Sequence, residues 1–219
     1  MSSFFHLTLR TRDVDAALSF CRRVLGDRAR DVVKLHEQAV ARGARPHWLG
    51  YLGVDDVKRT AAAFIERGAT SFGQWINPEG LEAAVLRDPG GAFVAVAKSA
   101  REYPSPESAW CLLHTSNAER AITDYRDLFD WRFGEAFDLG AHGRFHPFAW
   151  DAADVGAMTE LRPGVHAQWL FHFAVRDVDL AADEVRASGG VVGDVVTTPD
   201  GKRVAICDDP QGATFALMG

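Results

Sequence analysis

Two stretches of the chain share one phrase: LRDPGGAFVAVAK at residues 86–98 and CDDPQGATFALMG at residues 207–219. Each runs from an acidic residue through Pro and a loop residue to Gly, and then into an apolar segment. Pro and Gly at this spacing are typical of a tight turn, and the apolar segment that follows is typical of a strand. A turn-and-strand phrase that occurs twice in 219 residues indicates an internally repeated fold.

The repeat extends beyond this phrase, because four stretches combine an alternating strand, a short acidic turn and an amphipathic helix. In each stretch an Asp or Asn stands just before the helix, where its side chain can accept hydrogen bonds from free helix N–H groups. Apolar residues then recur at helical spacing. The four stretches, called modules 1 to 4 from here on, begin with FFHLTLRTRD (4–13), HWLGYLGVDD (47–56), AWCLLHTSN (109–117) and WLFHFAVRD (169–177).

Modules 2, 3 and 4 each continue with three strand-like pieces, and module 1 does not. In modules 2 and 4 the third piece follows the doubled DP-x-G turn. Module 1 continues instead with DRARDVVKLHEQAVARGARP (27–46), whose apolar residues fit a helix around 31–42 better than a strand. The sequence therefore predicts an α+β fold of tandem βαβββ modules, with module 1 truncated to β-α plus an extra helix.

A segment rich in Pro and Ser, SAREYPSPES, separates modules 2 and 3 and is typical of a linker. We therefore predict a first domain at 1–98, built from modules 1 and 2. The linker occupies 99–108. The second domain, at 109–219, contains modules 3 and 4.

Composition limits the partners that we expect. The net charge of -6 and the pI of about 5.7 argue against a nucleic-acid binder, which needs clustered Lys and Arg. No segment reaches the roughly 18 consecutive apolar residues of a membrane span, so no membrane partner is expected. Cys21, Cys111 and Cys207 form neither a disulfide framework nor a CxxC pair, which favours a reducing, cytoplasmic setting.

The modules resemble those of the vicinal oxygen chelate superfamily, which contains glyoxalase I, bleomycin-resistance proteins, fosfomycin-resistance enzymes and extradiol dioxygenases. HLTLRTRDVDAALSFCRRVLG (6–26) is similar to the opening of a bacterial glyoxalase I. The closing module, with VRDVDLAADEVRASGG and DDPQGATFAL, is similar to that of two-domain glyoxalase-like proteins. The resemblance covers nearly the whole chain apart from about 27–45. It implies that paired modules form U-shaped, partly open, β-barrel-like domains around a ligand cleft.

The resemblance also identifies where a metal would be bound in catalytic relatives. Their ligands come from the first strand and from a glutamate on the last strand of a module, and His6 matches a first-strand position. The equivalent first-strand positions in the other modules are Leu49, Trp110 and Leu170. The last-strand glutamate positions, in the middle of the doubled phrase, are Ala95 and Ala216. Leu and Ala offer no donor atom to a divalent cation, so we expect neither a metal nor another cofactor.

Ligand clefts implied by the resemblance would be lined by alternate residues of the strands. In the first pair of modules the candidate ligand-binding residues are His6, Thr8, Arg10, His47 and Tyr51. Arg10 stands where glyoxalase I uses an arginine for a substrate carboxylate, so an anionic ligand is one expectation. In the second pair the candidates are Trp110, His114 and His172, and a tryptophan there can stack on a flat organic ligand. The same pattern also fits Trp110 as a core residue and Arg10 as a surface residue.

Because module 1 lacks its last strands, the first cleft needs another cover. Either the extra helix or a partner subunit in a homodimer would supply it. The sequence contains neither a Gly-x-Ser-x-Gly elbow nor a phosphate-binding loop, so no catalytic residue is assigned.

Three classes of function remain open at this point. The first is a binding protein for a small organic molecule that has lost the family's metal ligands. The second is a metal-dependent lyase, isomerase or dioxygenase with a remnant site around His6, completed by His47 or Glu160. The third is a structural or interaction module whose clefts are filled.

Overall fold

A computed structural model describes residues 3–26, 31–41, 43–76, 82–98 and 108–219, and the side chains of 75 and 76 are not included. The four modules follow one another along the chain. Module 1 consists of β1 (Phe4–Thr11), α1 (Val14–Val24), β2 (Val32–Lys34) and α2 (Glu37–Ala41). Module 2 consists of β3 (His47–Val54), α3 (Val57–Glu66), β4 (Thr70–Ile76), β5 (Glu82–Arg87) and β6 (Phe93–Lys98).

The second half of the chain repeats this order with a longer third module. Module 3 consists of β7 (Ser108–Thr115), α4 (Ala118–Phe129), β8 (Arg132–Phe133), β9 (Phe137–Asp138), a 3-10 turn (Gly140–His142), β10 (Arg144–Ala149) and β11 (Gly156–Glu160). Module 4 consists of β12 (Gln168–Ala174), α5 (Val178–Ala187), β13 (Val191–Thr197), β14 (Arg203–Asp208) and β15 (Thr214–Met218). The predicted α+β fold of repeated modules is confirmed.

The truncated first module differs in one detail from the prediction of a helix around 31–42. The extra helix covers Glu37–Ala41, and Val32–Lys34 forms a strand parallel to β1. Leu9 N–H donates to the Asp31 carbonyl at 2.8 Å, and Leu35 N–H donates to the Thr11 carbonyl at 2.7 Å. These bonds satisfy one edge of β1, which outweighs the helical spacing of a short segment with two adjacent β-branched valines.

Each of the four long helices that follow a first strand begins as the sequence predicts. A side chain at the residue before the helix accepts a hydrogen bond from the backbone N–H three positions later. The pairs are Asp13 with Ala16 at 3.0 Å, Asp56 with Arg59 at 2.9 Å, Asn117 with Arg120 at 2.9 Å and Asp177 with Leu180 at 3.0 Å.

The described strands form two open sheets. The six-stranded sheet has the order β2-β1-β3-β6-β5-β4. The nine-stranded sheet has the order β13-β14-β15-β12-β7-β11-β10-β8, with β9 paired to β10. In modules 2 and 4 the last strand lies parallel to the first, which places Tyr51 beside Ala95 and His172 beside Ala216. The doubled phrase therefore has the same structural position in both modules.

The chain divides into two compact units, each drawn from both halves of the sequence. Unit 1 takes the described residues of Met1–His6, Gly50–Pro106 and Cys111–Trp169. Unit 2 takes the described residues of Leu7–Leu49, Glu107–Trp110 and Leu170–Gly219. Helices α3 and α4 thus belong to unit 1, and α1 and α5 belong to unit 2. The domains at 1–98 and 109–219 stay a prediction, and the linker at 99–108 lies outside the described residues except for Ser108.

Unit 1 has an aromatic core. Trp131 is fully buried, and its ring stacks on Phe148 with centroids 4.5 Å apart and 8° between the planes. Tyr125 lies 5.2 Å from Trp131, and Phe4 meets Trp169 edge to face at 4.9 Å. Such offset and edge-to-face contacts add roughly 0.5–1.5 kcal/mol per pair to the burial of the rings themselves.

Unit 2 has a smaller aromatic core between α1 and the strands of module 4. Phe20 of α1 meets Phe215 of β15 edge to face at 6.0 Å, and Phe215 lies 6.3 Å from Phe173. Trp48 lies 5.0 Å from Phe173. The helix of module 1 is therefore packed on the last strand of module 4, although almost the whole chain separates them in sequence.

Candidate functional site

The doubled DP-x-G phrase forms the same turn in modules 2 and 4, and in each the Asp side chain accepts a hydrogen bond across the turn. Asp88 Oδ1 accepts a hydrogen bond from the Ala92 N–H at 2.8 Å, and Asp209 Oδ1 accepts one from the Ala213 N–H at 2.8 Å. The backbone N–H of each Asp donates to the carbonyl of the same alanine. The turn thus fixes where β6 and β15 begin, and hence which of their residues lies beside the first strand of the module.

Ala95 and Ala216 occupy the positions that a metal-binding glutamate would take by resemblance. Both are fully buried, beside Tyr51 and His172 respectively. Neither alanine side chain has an atom that can bind a metal ion. In the part of the chain that the structure describes, no three or more His, Cys, Asp or Glu side chains are grouped closely enough to hold a metal ion. The described residues at these two positions therefore do not fit a divalent metal.

Two of the first-cleft candidates meet in unit 1. The rings of His6 and Tyr51 lie 5.0 Å apart between centroids, with 54° between their planes. Tyr51 is buried, whereas His6 keeps part of its surface exposed. An aromatic pair of this kind offers ring faces and edges to an organic ligand, and the imidazole is the more exposed of the two rings.

The other first-cleft candidates, Thr8, Arg10 and His47, belong to unit 2. Thr8 is buried, and Arg10 and His47 are partly exposed. Burial lowers the pKa of His47, and the positive charge of Arg10 lowers it further, although a hydrogen bond between Nδ1 and the Arg45 carbonyl at 2.8 Å acts in the opposite direction. The imidazole of His47 therefore favours its neutral form.

The candidates of the second pair have different surroundings. His114, in unit 1, is 4% exposed, and its Nδ1 has no hydrogen-bond partner among the described residues. Burial lowers its pKa to about 4, and the charge of Arg162 contributes. In unit 2, His172 is buried and Trp110 is partly exposed. A partly exposed indole fits the expectation of a stacking surface better than that of a core residue.

Arg162 was not among the residues that the sequence singles out. It follows β11 in the loop segment LRPG, and its Nη1 donates to the Ala141 carbonyl at 3.1 Å. Its Nε is buried and has no partner among the described residues. The effect of its charge on His114 arises from the fold of module 3, which no local signal in the sequence reveals.

Beneath the first DP-x-G turn, a cavity of about 300 Å³ lies beside α4. The polar groups around it pair with one another: the Tyr125 hydroxyl donates to Asp88 Oδ2 at 3.1 Å, and Trp169 Nε1 donates to the Tyr125 oxygen at 3.3 Å. Asp124 faces Arg67 at 3.6 Å. Burial raises the pKa of Asp88 and of Tyr125. Because these polar groups are already paired with one another, we interpret them as a structural contact between modules 2 and 3 within unit 1.

None of the three cysteines has the environment of a nucleophile. Cys21, Cys111 and Cys207 are all buried. Burial raises the pKa of Cys21 and of Cys207 to about 12, and it raises that of Cys111 as well. Since the thiolate is the reactive form, these thiols are structural.

Comparison with known proteins agrees with this architecture. Residues 108–217 match the Glyoxalase/Bleomycin resistance protein/Dioxygenase superfamily. The chain belongs to this superfamily. It is 28% identical over 189 residues to the putative glyoxylase CFP32 of Mycobacterium tuberculosis, covering 80% of this chain and 70% of that protein. It is also 30% identical over 128 residues to the anthracycline biosynthesis protein DauV of a Streptomyces species, covering 50% of this chain and 45% of that protein.

Solved structures share the fold across nearly the whole chain. The 2,3-dioxygenase LapB from Pseudomonas sp. KL28 has a TM-score of 0.66 and 14% identity, covering 97% of this chain and 90% of LapB. The Mn(II)-bound glyoxalase from Novosphingobium aromaticivorans has a TM-score of 0.67 and 14% identity, covering 100% of this chain and 83% of that one. At such identities the likeness establishes the fold alone. Among the described residues, no helix is long and apolar enough to span a membrane.

Proposed function

We propose that this protein binds a small organic molecule on the inner faces of its sheets and that it does so without the metal of its catalytic relatives. The observation that carries the proposal is the pair of buried alanines, Ala95 and Ala216, in the middle of the doubled phrase. Each stands beside a side chain suited to organic ligands, Tyr51 in one module and His172 in the other. In this proposal the chain keeps the fold of the superfamily, and the methyl groups of Ala95 and Ala216 stand where metal-binding carboxylates would be.

The binding residues proposed are the eight predicted from the sequence: His6, Thr8, Arg10, His47, Tyr51, Trp110, His114 and His172. Their chemistry is that of a recognition surface rather than a metal centre. Aromatic rings offer stacking area, and the imidazoles of His47 and His114, which favour the neutral form, offer one donor and one acceptor each. The three unpaired cysteines support a cytoplasmic setting, in which thiols stay reduced. No catalytic residue is proposed.

Elemental analysis of the protein purified without chelator, combined with native mass spectrometry, tests the metal part of this proposal. We expect metal far below one ion per chain and an unchanged mass after treatment with a chelator. A stoichiometric transition metal that disappears in His6→Ala would overturn the proposal in favour of a remnant metal enzyme around His6.

Ligand binding is tested separately by quenching of tryptophan fluorescence with a panel of aromatic compounds. We expect saturable quenching that Trp110→Phe reduces, because this partly exposed indole is the proposed stacking surface. The matched control is Trp150→Phe, which removes another partly exposed indole that packs against Phe4 and Trp131. Quenching that is equal in both variants would argue against a stacking role for Trp110.

A further inference from the structure

Two buried nitrogens of unit 1 lack a hydrogen-bond partner within the described residues: His114 Nδ1 and Arg162 Nε. Buried polar atoms in folded proteins are nearly always paired, so each exception needs an explanation. His114 is only 4% exposed, and a buried nitrogen left unpaired loses its hydrogen bonds to water without replacement. A partner from outside the chain would satisfy both atoms.

Contacts with the segment that leads into β10 place both residues in one region of unit 1. Thr159, which lies beside His114 in the register of β7 and β11, donates its hydroxyl to the Arg144 carbonyl at 2.8 Å. Leu161 N–H donates to the Thr115 carbonyl at 2.9 Å, which extends the ladder to the residue before Arg162. The hydrogen bond from Arg162 Nη1 to the Ala141 carbonyl fixes one side of the guanidinium. The charge of Arg162 is also close enough to His114 to disfavour a proton on the imidazole. A guanidinium held by the Ala141 carbonyl therefore lies within electrostatic range of an imidazole that favours its neutral form.

The charge of Arg162 has no counterpart in the described part of the chain, where the ion pairs involve other residues. A partly buried guanidinium without a carboxylate is an incomplete arrangement, since Arg matches planar anions with two parallel N–H donors. We propose that His114 and Arg162 form a carboxylate subsite, in which one ligand oxygen accepts from Arg162 Nε–H and the other accepts from His114 Nδ1–H. This subsite rests on the proposed function and specifies the class of ligand.

The same side of the sheet supplies an apolar surface next to the subsite. Strand register pairs His114 with Thr159, and alternation places Leu112, Ala157 and Pro147 on that side. All three are buried. A carboxylate held by the two nitrogens would have its remaining atoms against this apolar surface. The expected ligand is therefore an aromatic or otherwise apolar carboxylate rather than a free inorganic anion.

Isothermal titration calorimetry with benzoate and benzamide tests the subsite, because the two probes share a ring and differ in charge. We expect the wild-type protein to bind benzoate more tightly. Arg162→Gln is expected to weaken benzoate binding about tenfold, as for the loss of one charge-assisted hydrogen bond, and to leave benzamide unaffected. Arg144→Gln, which removes the same charge from an exposed position of β10, serves as the matched control.

His114→Leu supplies a second readout that a purely structural histidine would not give. It is expected to weaken benzoate binding and also to raise the midpoint of thermal unfolding, because it removes an unpaired buried nitrogen. Equal affinity of the wild type for both probes, no benzoate binding at millimolar concentration, or unchanged benzoate affinity in Arg162→Gln would each overturn the subsite. Binding of benzamide without benzoate would overturn the subsite and leave the proposed function standing. Benzoate binding that a chelator abolishes would overturn the proposed function instead.

Discussion

His114 couples the stability of the fold to pH. Its pKa falls from 6.5 to about 4 on folding, chiefly because of burial. Between these values the unfolded chain binds a proton that the folded chain excludes, so the free energy of unfolding decreases as the pH falls from 6.5 towards 4. At roughly 1.4 kcal/mol per pKa unit, the contribution lost is about 3 kcal/mol.

His114→Gln is therefore expected to flatten the pH dependence of stability in this window. Urea unfolding at several pH values from neutral to acidic measures it, with exposed His142→Gln as the control. Asp88 and Asp209 act in the opposite direction, since burial raises their pKa, and comparison of variant with wild type at each pH separates their effect. Parallel stability curves for His114→Gln and wild type would refute the coupling.

Gly90 is required by close packing against Thr115. A Cβ atom on residue 90 would lie 1.8 Å from Thr115 Oγ1 and 3.0 Å from its Cβ. Gly90→Ala is expected to destabilise the protein by about 2 kcal/mol through overpacking, measured by denaturant unfolding. Gly193→Ala, whose new Cβ would meet the Ile206 carbonyl at an ordinary 3.4 Å, should be near neutral. Equal stabilities of the two variants would contradict the packing shown.

At the level of elements, the third residue of the DP-x-G turn determines how a turn meets a helix. In module 4 this residue is Gln211, whose Oε1 accepts from the Asp13 N–H at 2.8 Å and from the Arg12 N–H at 3.2 Å. Its Nε2 donates to the Asp13 carbonyl at 2.8 Å. In module 2 the equivalent residue is Gly90, which lies directly against the strand before α4. The turn of module 4 contacts the start of α1 through the Gln211 side chain, whereas the turn of module 2 contacts the residues before α4 through its backbone.

Gln211→Ala is expected to destabilise unit 2 by about 1 kcal/mol, because it leaves the start of α1 without these hydrogen bonds. Thermal unfolding measures the change, and Gln38→Ala, on an exposed face of α2, provides the control. Gln211→Glu should be at least as harmful, because a carboxylate beside the Asp13 carbonyl accepts but does not donate. Wild-type stability in both Gln211 variants would show that the turn does not hold α1.

The repeated elements were predictable from the sequence because their signals are local. Helix starts follow from Asp13, Asp56 and their equivalents, and the strand after each DP-x-G turn follows from the turn itself. Strand β2 was not predictable, since Val32–Lys34 is stabilised by pairing with β1 rather than by its own pattern. The electrostatic effect of Arg162 on His114 was also hidden, because the two residues are far apart in sequence and no local pattern links them.

For the whole molecule, the reaction of the buried thiols with a reagent measures how far the folded structure has opened. We expect none of Cys21, Cys111 and Cys207 to react with a thiol reagent at neutral pH in the native state, and all three to react in denaturant. The reason is that each is buried and its raised pKa keeps it protonated. Cys111 belongs to unit 1 and the other two belong to unit 2, so their labelling rates in mild denaturant report the two units separately. Fast labelling of a native thiol would contradict the burial.

Strands β1, β3, β7 and β12 each begin in one compact unit and end in the other, so neither half of the chain contains a complete unit. A break in the backbone between Lys98 and Ser108 would leave two fragments that need each other to rebuild both cores. We expect the fragments to be poorly structured when expressed alone and to reassemble into a native-like complex when co-expressed, as judged by co-purification and circular dichroism. Fragments that fold alone would support the sequential domains at 1–98 and 109–219. If the fragments reassemble instead, the two halves of the chain depend on each other for folding. A single covalent link between them could then be lost without separating the two halves.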